Sequence, residues 1–361
     1  MTASRTSSPR TAGMDQRRNT DTGDPPSVQV LCNPSLVSRM AEFQPGVAYA
    51  ITAYCRELKS DRPTLALALK DNSLVGVAAA RGDLRMVQTV LAHMAHPDRA
   101  IEYAMFCAIL SGQRHVLEHL YRVWLDGSSS SNNNNAVPPI STYALNGAAK
   151  HGHLPILRFL HAQDGVVGWT TDCMNSAAAS GHLEIVRFLH EHRTEGCTVY
   201  AMNQAAEHGH LHVVRFLHEH RTEGCTSFAM DQAAKNGHLD VVRFLHEHRN
   251  EGCTTYAMTS AAFSGHLEIV RFLHEVRHEG CTKEAMDGAA LYGHLDVVRF
   301  LHEYRNEGCT ARAINWAAAH GSLDVVRYLH FHRSEGCVQH ASALAAQFGH
   351  ATIVSWCRTL Q

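Results

Sequence analysis

The stretch Gly209–Thr226, GHLHVVRFLHEHRTEGCT, constrains this chain more than any other, because versions of it begin again at Gly181, Gly237, Gly265, Gly293, Gly321 and Gly349, each 28 residues from the last. A fixed period of this size marks a solenoid, in which small units stack and each touches only its neighbours. Such a stack lengthens its core one unit at a time, so 361 residues do not require several globular domains. Gly82, Gly112 and Gly152 continue the series backwards at spacings of 30, 40 and 29, giving ten units from about Asp71 onward. The extra residues fall near His96 and Pro97, in GSSSSNNNNAVPP (127–139) and around Gly165 to Gly168. All lie in the same turn, so they lengthen a surface connection and leave the helices in register. The Ser/Asn tract reads as a flexible loop.

One unit reads as a helix-turn-helix hairpin. In TVYAMNQAAEHG, Thr198 is a helix cap, good helix formers follow, and Gly209 suits the left-handed position after a helix. Ala201, Met202, Ala205 and Ala206 of this helix A form one face of mostly small side chains. In helix B, Leu211, Val213, Val214, Phe216 and Leu217 make the apolar face and Arg215 points outward. Asp240, Glu268, Asp296 and Asp324 sit in first turns and the His and Arg of HEHR in last turns, as the helix dipole favours. A single hairpin buries too little to offset its backbone entropy, so stacking must supply the rest. The expected fold is an all-α solenoid of about ten stacked hairpins.

The pattern AA-x-x-GHL-x-VVRFLH resembles the second half of an ankyrin repeat, and the likeness recurs across residues 71–361. Two departures accompany it. The family's Thr-Pro-Leu-His opening is replaced by Tyr200, Ala201, Met202 and Asn203, and the period is about five residues shorter than the family's ~33. The missing residues belong to the turn that carries the family's β-hairpin finger, so tight turns are expected here. The resemblance implies protein-protein recognition without catalysis, on the inner, concave side lined by helix A.

Comparison of the copies separates scaffold from variable positions, for helix B hardly changes whereas parts of helix A do. The variable positions are the candidate partner-binding residues. They comprise Tyr200, Asn203, Gln204 and Glu207 in one unit, and Phe228, Asp231, Gln232 and Lys235 in the next. Tyr256 and Phe263 follow, then Lys283, Glu284, Asp287 and Tyr292, and finally Arg312, Asn315 and Trp316. Aromatic anchors among mixed charge suit a binding hot spot, with Tyr256 and Trp316 the preferred anchors.

Ahead of the array, residues 1–28 hold little to bury and read as a disordered tail. Arg5, Arg10, Arg17 and Arg18 resemble a mitochondrial presequence only faintly, since no amphipathic face accompanies them. Residues 29–70 read as two or three helices that cap the stack. Within 29–60, Pro34, Leu36, Met40, Phe43, Val47, Ile51, Tyr54, Cys55, Arg56 and Leu58 loosely resemble the F-box pattern. That likeness implies attachment to the Skp-type adaptor of a cullin ubiquitin ligase, so cap and F-box-like module both stay open.

Other chemistries find little support. With 32 basic and 34 acidic residues well mixed, the positive field of a nucleic-acid binder is missing. No run of about eighteen apolar residues offers a membrane span, and no secretory core stands at the start, so a cytoplasmic or nuclear monomer is expected. Cys197, Cys225, Cys253, Cys281, Cys309 and Cys337 recur beside histidines. Equivalent residues of stacked units nevertheless lie roughly 8 to 10 Å apart, too far for shared zinc ligands or a disulfide, so buried reduced thiols and no metal are expected. The GHL histidines, His182, His210, His238, His266 and His294, are expected to hydrogen-bond backbone between helices. His190 and His192 do not share a helix face and make a poor chelating pair, but such pairs are placed to titrate. Full protonation of the 28 histidines would move the formal charge from -2 to +26, so acid is expected to weaken the stack. No phosphate loop, nucleophile elbow or paired acids stand outside the repeating pattern, so no enzyme, cofactor or small-molecule substrate is expected.

Overall fold

The computed structural model describes residues 73–94, 97–128 and 138–360. The expected tail at 1–28, the cap or F-box-like segment at 29–70 and most of the Ser/Asn loop lie outside them. Among the described residues there are twenty helices and no strand, arranged as ten consecutive hairpins. The first five are α1 Ser73–Arg81 with α2 Leu84–Leu91, α3 Asp98–Leu110 with α4 Arg114–Ser128, α5 Thr142–Lys150 with α6 Leu154–His161, α7 Thr171–Ala179 with α8 Leu183–His192, and α9 Val199–Glu207 with α10 Leu211–His220. The others are α11 Ser227–Lys235 with α12 Leu239–His248, α13 Thr255–Phe263 with α14 Leu267–Val276, α15 Lys283–Leu291 with α16 Leu295–Tyr304, α17 Arg312–Ala319 with α18 Leu323–His332, and α19 Val338–Gln347 with α20 Ala351–Arg358. Odd-numbered helices are the A helices. The helix α4 runs to Ser128, so Gly127 and Ser128, the first two residues of the Ser/Asn tract, are helical.

The hairpin forms for local reasons. Thr198 is extended, and its hydroxyl accepts the Tyr200 N–H at 3.3 Å, which starts α9. At the other end Gly209 takes φ +75°, and the His210 N–H reaches back to the Ala205 carbonyl at 2.8 Å. A side chain there would meet more than backbone strain, since a Cβ on Gly209 would stand 2.5 Å from Nδ1 of His238 in the next unit. The core then follows the expected faces: Ala201, Met202, Ala205, Ala206, Val213, Val214 and Leu217 are almost fully buried, while Leu211 is only half-buried. Each A helix packs on the next through these small side chains, more closely than successive B helices approach each other.

Histidines at the GHL position tie one unit to the one before at His153 and His182. The imidazole Nε2 of His182 pairs with the Lys150 carbonyl at 3.0 Å and that of His153 with the Leu110 carbonyl at 3.0 Å, and His350, at the matching position of a unit without the leucine, pairs with the Ala319 carbonyl at 2.8 Å. These carbonyls end A helices and lack an intrahelical partner, so the contact satisfies them.

The turn is where the structure adds most. The arginine of HEHR is not in the last turn of helix B, as its position suggested. Arg221 is the extended residue after α10, with φ -125° and ψ 150°. Its guanidinium forks onto Glu223, with Nε donating to Oε2 at 3.2 Å. Oε1 of Glu223 also accepts the Cys197 N–H of the preceding unit at 3.3 Å. The same Arg-x-Glu fork recurs at Arg193, Arg249, Arg277, Arg305 and Arg333. It clamps neighbouring units across the turn, as the Cys225 and Cys281 N–H groups also donate to Glu251 and Glu307. Hydrogen bonds from Arg249, working against burial, hold the Glu251 carboxyl down at about 2.

Cys197, Cys225, Cys281 and Cys309 are buried free thiols, and burial pushes that of Cys225 up to about 11. Two members of the ladder depart from the expectation: Cys253 is half-buried and Cys337 is exposed. Cys337 belongs to the last described unit, and no following Arg-x-Glu turn covers it among the described residues.

Candidate functional site

The exposed edge of the A helices is set by one register position, nine residues before each turn glycine. In chain order it holds Tyr103, Tyr143, Asp172, Tyr200, Phe228, Tyr256, Glu284, Arg312 and His340. Five of these are exposed aromatics, from Phe228 at 40% to Tyr200 at 64% and Tyr143 at 83%. Large apolar side chains left in solvent at one repeated position are an unusual surface. Tyr103 and Tyr143 escaped the sequence reading because insertions disturb the 28-residue period around them. Counting back from the glycine, which the insertions do not disturb, would have found both.

A second position looked variable but is structural. Asn203, Asp231 and Asp287 are buried, which corrects their assignment to a partner surface. Asp287 accepts the Thr310 N–H at 2.8 Å on one oxygen and the Thr310 hydroxyl at 2.6 Å on the other. Asp231 does the same for Thr254, at 2.8 and 2.9 Å. Asn203 accepts the Thr226 N–H and donates to its hydroxyl, both at 3.0 Å. Each side chain thus secures the threonine that opens the next A helix. Burial raises the Asp231 carboxyl above its ordinary range, against the hydrogen bonds from Thr254. Asn315 occupies the same position, but Val338 replaces the threonine it would meet, and its Oδ1 is buried without a partner.

The remaining candidates stay on the surface. Tyr200, Phe228, Lys235, Tyr256, Phe263, Lys283, Glu284, Tyr292 and Arg312 are exposed, and Gln204, Glu207, Gln232, Asn315 and Trp316 are half-buried. Gln204 donates to Glu207 at 2.7 Å. Ten residues of four successive A helices and their ends enclose a cavity of about 400 Å³. Lys235 of α11 stands on one side, and α13 contributes Tyr256, Thr259, Ser260 and Phe263, with Ser264 just beyond. Glu284 and Asp287 of α15 and Arg312 and Trp316 of α17 complete it. The two preferred anchors, Tyr256 and Trp316, therefore share one cavity.

Its walls are built by fit between units. The Phe263 ring lies over Gly288 of the next A helix, where any Cβ would collide with it, and meets Tyr292 edge to face at 4.9 Å. The Arg312 guanidinium sits 5.6 Å from the centre of the Trp316 ring. Such a cavity offers aromatic surface with Lys235 and Arg312 beside the exposed carboxylate of Glu284. It contains no pairing of nucleophile and base, and among the described residues no cluster of three or more His, Cys, Asp or Glu converges on a metal position.

Helix B presents a different surface. Arg215 lies 5.6 Å from the centre of the Phe244 ring of the next unit, and Arg187, Arg243, Arg271 and Arg299 repeat the contact on their own neighbours. Phe244 is stacked by His248 at 4.3 Å and approached edge-on by His218 at 5.6 Å. These side chains are engaged with one another from unit to unit. No helix among the described residues is long and apolar enough to cross a membrane.

Comparison with known families agrees with the repeat read from the residues. A family model described as ankyrin repeats, in three copies, matches residues 145–227, 174–255, 202–287, 230–311 and 260–341. These successive placements span 145–341 and advance by about one unit each. No curated protein matches the chain.

Proposed function

This chain belongs to the ankyrin-repeat family, whose arrays are protein-protein interaction modules, and from that premise we propose that it holds a partner protein on the exposed face of its A helices. The observation that carries the reading is the cavity shared by Tyr256, Phe263 and Trp316, continuous with the aromatic column through Tyr256. Binding energy concentrates where aromatic and arginine side chains meet in a partly enclosed site. The tighter approach of A helices than of B helices supports placing this face on the inner side of the curve. Tyr200, Gln204, Glu207, Phe228, Gln232, Lys235, Lys283, Glu284, Tyr292, Arg312 and Asn315 supply the surround. Catalysis, cofactor, metal, nucleic acid and membrane have no part in this reading, and the array acts as a scaffold, as a monomer in the cytoplasm or nucleus.

The test compares proteins recovered with the intact chain and with Tyr256→Ala/Trp316→Ala. The variant keeps its helical content, and its partners fall at least about tenfold, as expected for hot-spot residues. Recovery unchanged by the double substitution overturns the reading. The adaptor alternative rests on the F-box-like residues within 29–60 and is decided by association with the Skp-type adaptor. Loss of that association on deleting 29–60 supports the alternative, and its absence with the intact chain ends it.

A further inference from the structure

We propose that the aromatic column of the A face is a track for a proline-rich segment of the partner, bound as a polyproline II helix with an acidic residue where it reaches Trp316. This rests on the reading of the A face as the partner surface and adds the chemistry of what lies on it.

The first support is spacing. Tyr200, Phe228 and Tyr256 occupy one register position in three consecutive units, so the backbone positions that carry them repeat with the step of the stack. Packed helices stand about 8 to 10 Å apart. A polyproline II helix has three residues per turn and rises ~3.1 Å per residue, so one side of it returns every ~9.3 Å. An extended strand returns to the same face after ~6.7 Å, and one α-helical turn after ~5.4 Å. The first falls within a single step of the array, the strand falls short of it, and two α-helical turns, ~10.8 Å, overshoot it. The chemistry agrees, because exposed aromatic rings are the usual seat for proline, and a preformed polyproline segment loses little entropy on binding. Tyr200, Phe228 and Tyr256 are 64%, 40% and 45% exposed, leaving ring surface free to be covered.

The second support is charge. From Lys235 onward the exposed candidate residues carry three cations, Lys235, Lys283 and Arg312, against one acid, Glu284. Asp287 lies in the cavity, but both its oxygens are engaged by Thr310. Lys235, Arg312 and Glu284 all line the cavity that holds Trp316, so two cations there face one carboxylate that Thr310 does not engage. One unit before Tyr200 the same register position holds an acid, Asp172. The surface therefore complements a segment with a basic residue over Asp172 and an acidic one at the Trp316 cavity. Five steps separate Asp172 from Arg312 in the register, ~46 Å or about fifteen residues of polyproline II.

The probe is a fifteen-residue peptide of thirteen prolines between a terminal lysine and a terminal glutamate, in both orders, titrated calorimetrically into the full chain. At least one order is expected to bind about tenfold or more tightly than a glycine-serine peptide with the same ends. Tyr200→Ala/Tyr256→Ala should remove that advantage, with helical content checked by circular dichroism. A peptide with lysine at both ends should bind the native chain more weakly and recover on Arg312→Glu/Lys235→Glu. Binding no tighter than the glycine-serine control, or indifferent to Tyr200 and Tyr256, overturns the proposal. If natural partners still depend on Tyr256 and Trp316 while the proline peptide fails, the surface stands and the polyproline ligand does not. If the partners ignore those residues, both fall.

Discussion

The two sides of each hairpin use repetition differently. On helix B the same side chains return in nearly every copy, and each is taken up by a neighbour: Arg215 lies over Phe244, and His218 meets the same ring edge-on. On the exposed edge of helix A the residue changes from tyrosine to phenylalanine to glutamate to arginine, and the tyrosines stay in solvent. Recurrence marks what one unit must do for the next, because a stack succeeds only if every interface closes. Change marks positions released from that duty. The buried Asn/Asp position qualifies the rule: it varies, yet every form seen at Asn203, Asp231 and Asp287 can accept a threonine N–H.

The sharpest way to break this contrast is through the apolar seam. Leu217, on the recurring apolar face of helix B, is almost fully buried. Leu217→Ala is expected to cost about 2 to 5 kcal/mol, the range for a leucine truncated in a packed core. Urea unfolding followed by circular dichroism measures it. A loss near that of an exposed substitution, within ~0.5 kcal/mol, would mean the recurring face is not what holds the array.

Asp287 tests the exception. Asp287→Ala strands the Thr310 N–H and hydroxyl, both of which now donate to the carboxylate. The expected loss is about 1 to 3 kcal/mol, as for a buried donor left without an acceptor. Asp287→Asn retains an acceptor and should recover most of it, since Asn203 performs this task in its own unit. If the alanine variant unfolds at the same urea concentration as the native chain, the position is a free surface position after all.

The hairpins, their caps and the turn glycines could be read from the residues because each is a local decision, made within one unit by Thr198, the alanine pair and Gly209. The aromatic edge was half legible. Tyr200, Phe228 and Tyr256 stand in the regular copies, whereas Tyr103 and Tyr143 needed an internal ruler that survives insertions. The Arg221–Glu223 clamp and the Asp287–Thr310 bond were not legible, because they join residues of different copies or reassign a residue from helix to turn. Periodicity shows that copies are alike; it does not show which atoms of one copy meet those of the next.

The smallest effect concerns the histidines, which recur like the core yet lie partly in solvent. Burial lowers the imidazole pKa of His161 and His302 below the ordinary value, helped by Arg193 and His192 in one case and by Arg333 and His332 in the other. Glu195 opposes the first shift, and Glu303 and Glu335 oppose the second. Both rings have a buried Nδ1 without a hydrogen-bond partner, and each sits about 5.6 Å from the next unit's histidine. The folded array therefore favours the neutral rings. Their contribution is complete above the unfolded value near 6.5 and drains away as pH falls from there through the lowered folded value. The Arg-x-Glu clamps act at another pH, because the depressed carboxyl of Glu251 keeps its contribution until pH falls below the ordinary carboxylate value and on toward about 2. Between pH 7.5 and 5.5 only the histidines should register, so the expected result is a modest fall in Tm that His161→Phe/His302→Phe reduces. A Tm unchanged over that interval would mean that these rings titrate alike in the folded and unfolded chain, and that their recurrence reflects packing alone.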